Sequence, residues 1–271
     1  MSTEPARRRV VITGIGVVSP LGIGVEAFLD SLRAKRSGID VVTDVMDASA
    51  APGNVGGEIP DFDDGVTKSA MPRKQRKFVK VMCREIEFGV VSAMQAVESS
   101  GLDLEALDRS RIGVDFGANL MFSPPSVLAD AGAACADPIL PGSAEPRQFE
   151  FHRWGQEGMK VMEPLWLLKY LPNMPACHIG IALDARGPSN SLTMGGASGN
   201  AVLSEAARII ERGRADIMIA GTTGTHLHPV RTTNAGLFKE LAAGDGPPGT
   251  WCKPFDARRI GEVVGEGAST V

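Results

Sequence analysis

A basic excess is missing from this chain of 271 residues: 28 Lys and Arg stand against 32 Asp and Glu, a net charge of −4. That argues against a nucleic-acid-binding face. Aromatics are scarce, at 5%, which argues against a base-stacking surface. Long apolar runs are lacking too, and no stretch approaches the ~18 residues of a membrane span. Cysteine is sparse, and Cys83, Cys135, Cys177 and Cys252 form no C-x-x-C pair. Neither a zinc site nor a thioredoxin-like site is expected. No cofactor is called for, and a reduced, cytoplasmic compartment fits best. Arg7-Arg8-Arg9 before Val10-Val11-Ile12 superficially resembles a secretory signal. Thr13, Gly14, Gly16 and Pro20 interrupt the apolar run, so a first buried strand is the better reading.

What is abundant points to a layered α/β fold. Apolar residues make up 43%, with 32 glycines and 18 prolines for tight turns. Arg9 to Ile15 reads as a strand and Gly22 to Lys35 as a helix. Residues 37–72, rich in Asp, Gly, Pro and Ala, read as a surface excursion. Lys77 to Ser100 is the clearest helix, with Phe78, Met82, Ile86, Val90, Met94 and Val97 near a four-residue spacing and Gly101 as a stop. Arg111 to Phe116 is a strand. Residues 117–164, carrying Pro124, Pro125, Pro138, Pro141 and Pro146, read as irregular. Leu165 to Ile181 reads as largely helical. Ser189 to Met194 is a strand, Gly195-Gly196 a sharp turn, Ala197 to Arg212 a helix and Asp216 to Ala220 a strand. This alternation predicts a mostly parallel sheet covered by helices.

Gly14-Ile15-Gly16-Val17-Val18-Ser19 nearly matches a dinucleotide fingerprint, but the third glycine is absent and Pro20 opposes helix entry, so a structural turn is preferred. The strand–turn–helix at 189–212 is the best place for a nucleophile. Backbone N–H groups at a helix N-terminus stabilise a thiolate or an oxyanion. The corner offers Gly195, Gly196, Ala197, Ser198 and Gly199. Ser198, the one hydroxyl, is read either as a nucleophile or as a helix-start residue bonding backbone donors. Cys177 and His178, adjacent in sequence, read as packing residues, and His226-x-His228 as a weak metal pattern. Arg73, Lys74, Arg76, Lys77 and Lys80 concentrate positive charge at the start of a predicted helix, where the dipole disfavours cations. An anionic partner is one reason to keep them there.

Five blocks in order carry a family resemblance. Arg9–Gly22, with its Thr13-Gly14-Ile15-Gly16-Val17 core, resembles the opening of the elongating β-ketoacyl-acyl-carrier-protein synthases. So do Arg73-Lys74-Gln75-Arg76-Lys77, Gly187-Pro188-Ser189, the run from Ala206 to Gly221, and Pro254-Phe255-Asp256 with Gly265-Glu266-Gly267-Ala268. The resemblance implies a thiolase-like fold. This chain would be the N-terminal half of a five-layer αβαβα sandwich, one domain over 1–271 with an insertion at about 117–164 and a final strand cut short at Val271.

It also implies fatty acid or polyketide biosynthesis, with acyl carrier protein docking on Arg73, Arg76 and Lys77. Pairing would run through the strand Ser189–Met194, as a homodimer or with a complete synthase. Against the family pattern Thr-Ala-Cys-x-Ser-Gly, the register gives Met194-Gly195-Gly196-Ala197-Ser198-Gly199. Gly196 takes the place of the acyl-carrying cysteine, with Gly195 and Ala197 beside the substrate. Glycine cannot hold an acyl group, and the family's later histidines and lysine lie beyond Val271. A protein inactive in condensation that binds carrier protein or a synthase is therefore expected. The alternatives are a piece of a longer synthase, or a malonyl-carrier decarboxylase that needs only an oxyanion site.

Overall fold

The computed structural model describes residues 8–46, 54–137, 148–238 and 241–271. Arg7, residues 47–53 of the expected excursion, and Pro138, Pro141 and Pro146 lie outside them. In chain order the elements are β1 (Gly16–Ser19), β2 (Gly22–Ile23), α1 (Val25–Arg33), β3 (Asp40–Val41), β4 (Val55–Gly57), α2 (Asp64–Ala70), α3 (Arg84–Ser100) and β5 (Ile112–Ala118). Then follow α4 (Pro125–Ala134), α5 (Met159–Val161), α6 (Met174–Leu183), β6 (Ser189–Leu192), α7 (Ser198–Glu211), β7 (Ile217–Thr225), α8 (Pro229–Phe238) and β8 (Val264–Thr270).

The main path of the sheet runs β2-β1-β8-β7-β5-β6, with β4 joined to β8. The expectation of a mostly parallel sheet needs correcting. β5 pairs in parallel with β6 and β7, but β8 runs antiparallel to both β7 and β1. The parallel portion comes from the crossovers through α6 and α7, while β8 enters from a long loop and takes the opposite direction. α3 and α6 cover one face; α7 covers the other.

β5 shows why the layers form. Its Val114, Phe116 and Ala118 join Ile86, Val90, Ala93, Ile179 and Ile219 in the core beneath α3 and α6. On α7, Val202 and Ala206 meet Ala215, Met218 and Ala220 across the opposite face. Burying the apolar side chains of such a layer contributes about 25 cal/mol per Å².

Several expected boundaries move. Arg9 to Ile15 is not a strand, and Val11 and Ile12 are exposed. The backbone there bonds helix side chains instead of a ladder: Ile15 N donates to Ser99 Oγ (2.8 Å) and Val17 N to Gln95 Oε1 (3.0 Å). The predicted helix from Lys77 is divided. Arg76–Val81 is a 3-10 turn, Met82 and Cys83 are extended, and α3 starts only at Arg84. α1 is shorter than the predicted Gly22–Lys35 because Gly22 and Ile23 pair back onto β1.

The 37–72 excursion contains β3, β4 and α2 and buries Ile59 and Phe62 under Val18 and Phe88. The stretch read as irregular contains α4, whose first residue is Pro125; proline's missing N–H is harmless at that position. Among the described residues, no helix is long and apolar enough to cross a membrane.

Candidate active-site corner and basic face

The corner lies between β6 and α7. Gly195–Ala197 forms a 3-10 turn and α7 begins at Ser198. Gly195 has φ +58°, a left-handed value that favours glycine. Gly196 does not share that conformation, and a Cβ placed on it would meet nothing within 4 Å. It is exposed and lines an open groove of about 630 Å³ with Ala118, Thr223 and Gly267.

Ser198 is buried, with two backbone partners. Its Oγ accepts from Met194 N (2.8 Å) and donates to Ala118 O (3.4 Å). The hydroxyl thereby ties the corner to the end of β5. Gly195 lines the groove beside Gly196, and Ala197 is exposed at the turn.

Beside the groove opens a cavity of about 520 Å³ that the sequence reading missed. Asn119, Thr193, His226, Arg231 and Asn234 supply its polar wall. Asn119 Nδ2 and His226 Nε2 are 3.5 Å apart. Arg231 bonds the Leu120 carbonyl and stacks over Phe122 (5.1 Å). His226 and His228 do not converge as metal ligands: His228 Nδ1 accepts from Val230 N (3.2 Å), and no metal-holding cluster exists among the described residues. Cys177 and His178 sit on α6, which packs on the opposite face of the sheet from α7. His178 is buried, and loss of solvent pulls its pKa down to about 4.

Behind the groove lies a layer of buried charge. Glu266 on β8 has no exposed side-chain surface and pairs with Arg84 (2.8 Å). Arg84 also donates to the carbonyls of Ile59 and Phe62, and its guanidinium lies over Phe88 (5.0 Å). Glu85 is buried next to Arg231, and desolvation raises its pKa to about 8. Glu87 is raised to about 7 by the same cause while accepting from Thr67 (2.6 Å). These residues were invisible to motif reading, although two glutamates within an apolar helical stretch were a signal.

The five predicted cations lie together in a different place from the one expected. Arg73, Lys74, Arg76, Lys77 and Lys80 are exposed on and before the 3-10 turn, not at the N-terminus of α3. The dipole argument therefore does not apply to them. None is bridged to a carboxylate among the described residues. Arg76 Nε donates to Met71 O (3.3 Å), and Lys77 lies over Phe78 (5.1 Å).

This geometry meets the comparisons with known proteins. The model of the β-ketoacyl synthase N-terminal domain matches residues 7–271. The chain is 30% identical over 266 residues to 3-oxoacyl-[acyl-carrier-protein] synthase 2 of Coxiella burnetii, covering 98% of this chain and 57% of that protein. It is 29% identical to the tetracenomycin polyketide synthase ketoacyl synthase alpha subunit of Streptomyces glaucescens, covering 98% and 58%. A crystal structure of a β-ketoacyl synthase from Burkholderia phymatum superimposes with a TM-score of 0.73 at 22% identity, covering 96% of this chain and 57% of that one. The chain belongs to the β-ketoacyl synthase family and has its thiolase-like α/β fold. It spans a little over half the length of these curated relatives.

Proposed function

We propose that this protein binds acyl carrier protein, or pairs with a complete synthase, without forming an acyl-enzyme of its own. The observation that carries this reading is Gly196. It stands at the strand-to-helix corner where the family register puts the acyl-carrying cysteine, and it has no side chain to acylate. An acyl group delivered here would be held non-covalently in the groove beside Gly195, Gly196 and Ala197. Support for the carrier comes from the unpaired cations around Arg73, Arg76 and Lys77. Exposed like charge of this kind steers an acidic partner at long range. One structural neighbour, with a TM-score of 0.65 at 18% identity, is described as a type II polyketide acyl carrier protein in complex with its ketosynthase.

The test is a binding titration of the purified chain with acyl carrier protein across a salt series. Binding that weakens with salt, and falls at least tenfold with Arg76→Glu, is expected. Salt-insensitive binding, or an Arg76→Glu variant that binds as well as the parent, overturns the docking part. Intact-mass detection of a covalent acyl adduct with turnover overturns the non-covalent part.

A further inference from the structure

We infer that the cavity beside the corner is a carboxylate site, and that Arg231 selects acyl groups ending in a carboxylate over neutral ones. This deepens the proposed non-covalent acyl groove and rests on it. The cavity and the groove share Asn119, Gly195 and His226, so a chain lying past Gly196 runs on into the cavity. The cavity's volume of about 520 Å³ is that of a small-ligand site.

Its wall carries one cation and several neutral polar groups. Arg231 sits in the first turn of α8, where helix N–H groups add positive potential, and Asn234 follows one turn later on the same wall. One Arg231 nitrogen, Nη2, bonds the Leu120 carbonyl, and the face of the guanidinium lies against Phe122. Its Nε is buried and has no hydrogen-bond partner among the described residues.

A guanidinium in the wall of such a cavity suits a carboxylate as its charged partner. The surroundings leave the charge uncancelled. Burial raises the pKa of Glu85, the carboxyl nearest in charge to Arg231, to about 8, against the pull of Arg231 itself. Glu266 is engaged by Arg84. Burial and the charge of Arg231 lower the pKa of His228. Asn119 and Thr193 line the same cavity.

The experiment compares succinyl-pantetheine with butyryl-pantetheine, thioesters of equal chain length that differ in the terminal carboxylate. Each is titrated into the purified chain at pH 7 by calorimetry. The succinyl thioester is expected to bind at least tenfold more tightly. R231Q should abolish that preference. Should R231Q fail to fold by circular dichroism, Asn234→Leu gives the second reading, with succinyl binding weakened several-fold and butyryl binding retained.

Equal affinity of the parent for both thioesters, or a preference that survives R231Q, overturns the carboxylate site and leaves carrier docking untouched. Binding of neither thioester overturns the site and the acyl groove together. Loss of carrier docking with thioester discrimination intact overturns docking alone.

Discussion

Two pairs of neighbouring glycines in this chain exist for opposite reasons. Near the start of the chain, a Cβ on Gly14 would collide with Ala96 O, and one on Gly16 would collide with Ser92 O. The backbone there lies directly on α3 and only glycine fits. At the corner, Gly195 is required by its left-handed φ, but Gly196 is required by nothing in the packing. A structural glycine is defined by what surrounds it. Gly196 has open space and an ordinary backbone, so the demands of folding do not account for its missing side chain.

The comparison is broken most directly by adding one carbon at each place. Gly16→Ala should destabilise the protein by about 3 kcal/mol or more, since overpacking against backbone cannot be relieved by a side-chain shift. Urea denaturation reads this, and an unchanged midpoint would mean that β1 does not press on α3. Next in size is Arg84→Met, which leaves Glu266 buried without its partner. A loss of about 2–3 kcal/mol is expected, slightly discounted because Arg84 is partly exposed. If Glu266→Gln combined with Arg84→Met loses just as much, the charge pair is not the cause.

The pH profile sharpens the same contrast by isolating the charge behind the groove. Glu85 and Glu87 have native pKa values raised from 4.5 to about 8 and about 7. The native state therefore binds more protons than the unfolded state between those values, so stability falls as pH rises. His178, lowered from 6.5 to about 4, opposes this only below pH 6.5. Thermal stability should thus decline from pH 6.5 to 8, and Glu85→Gln should flatten the decline. A profile that rises across this window contradicts the burial of Glu85.

The smallest effect is expected at the corner itself. Gly196→Cys should change stability by within about 0.5 kcal/mol. Peptide mapping after brief iodoacetamide treatment of that variant should find the introduced thiol alkylated well before Cys83, whose own thiol is pushed up to about 12 by burial. A slower reaction at position 196 than at Cys83 would mean that the corner is closed.

Legibility in the sequence followed the physics of each segment. α7 and β5 were readable because Val202 and Ala206 keep helical spacing and Ile112 to Ala118 is short, apolar and bounded. The corner between β6 and α7 was readable from the same change of period. β1 was misplaced because Val10, Val11 and Ile12 mimic a buried strand, whereas the pairing begins at Gly16, where glycine lets the chain approach α3. α3 was drawn too long because a 3-10 turn keeps nearly the same apolar spacing through Phe78 and Val81. The cavity was illegible, since Asn119 and Thr193 come from segments distant from the α8 residues Arg231 and Asn234, and the four share no motif.

The place of β8 governs how the molecule assembles. Gly16 is registered against Thr270, and Gly221 against the same residue from the other side, so the strand latest in the chain is the seam between the earliest pair and the rest of the sheet. Until that seam arrives, β1 and β7 each present a bare backbone edge. Closing such distant partners is slow in an α/β protein, and an emerging chain spends that interval exposed to strand exchange with its neighbours.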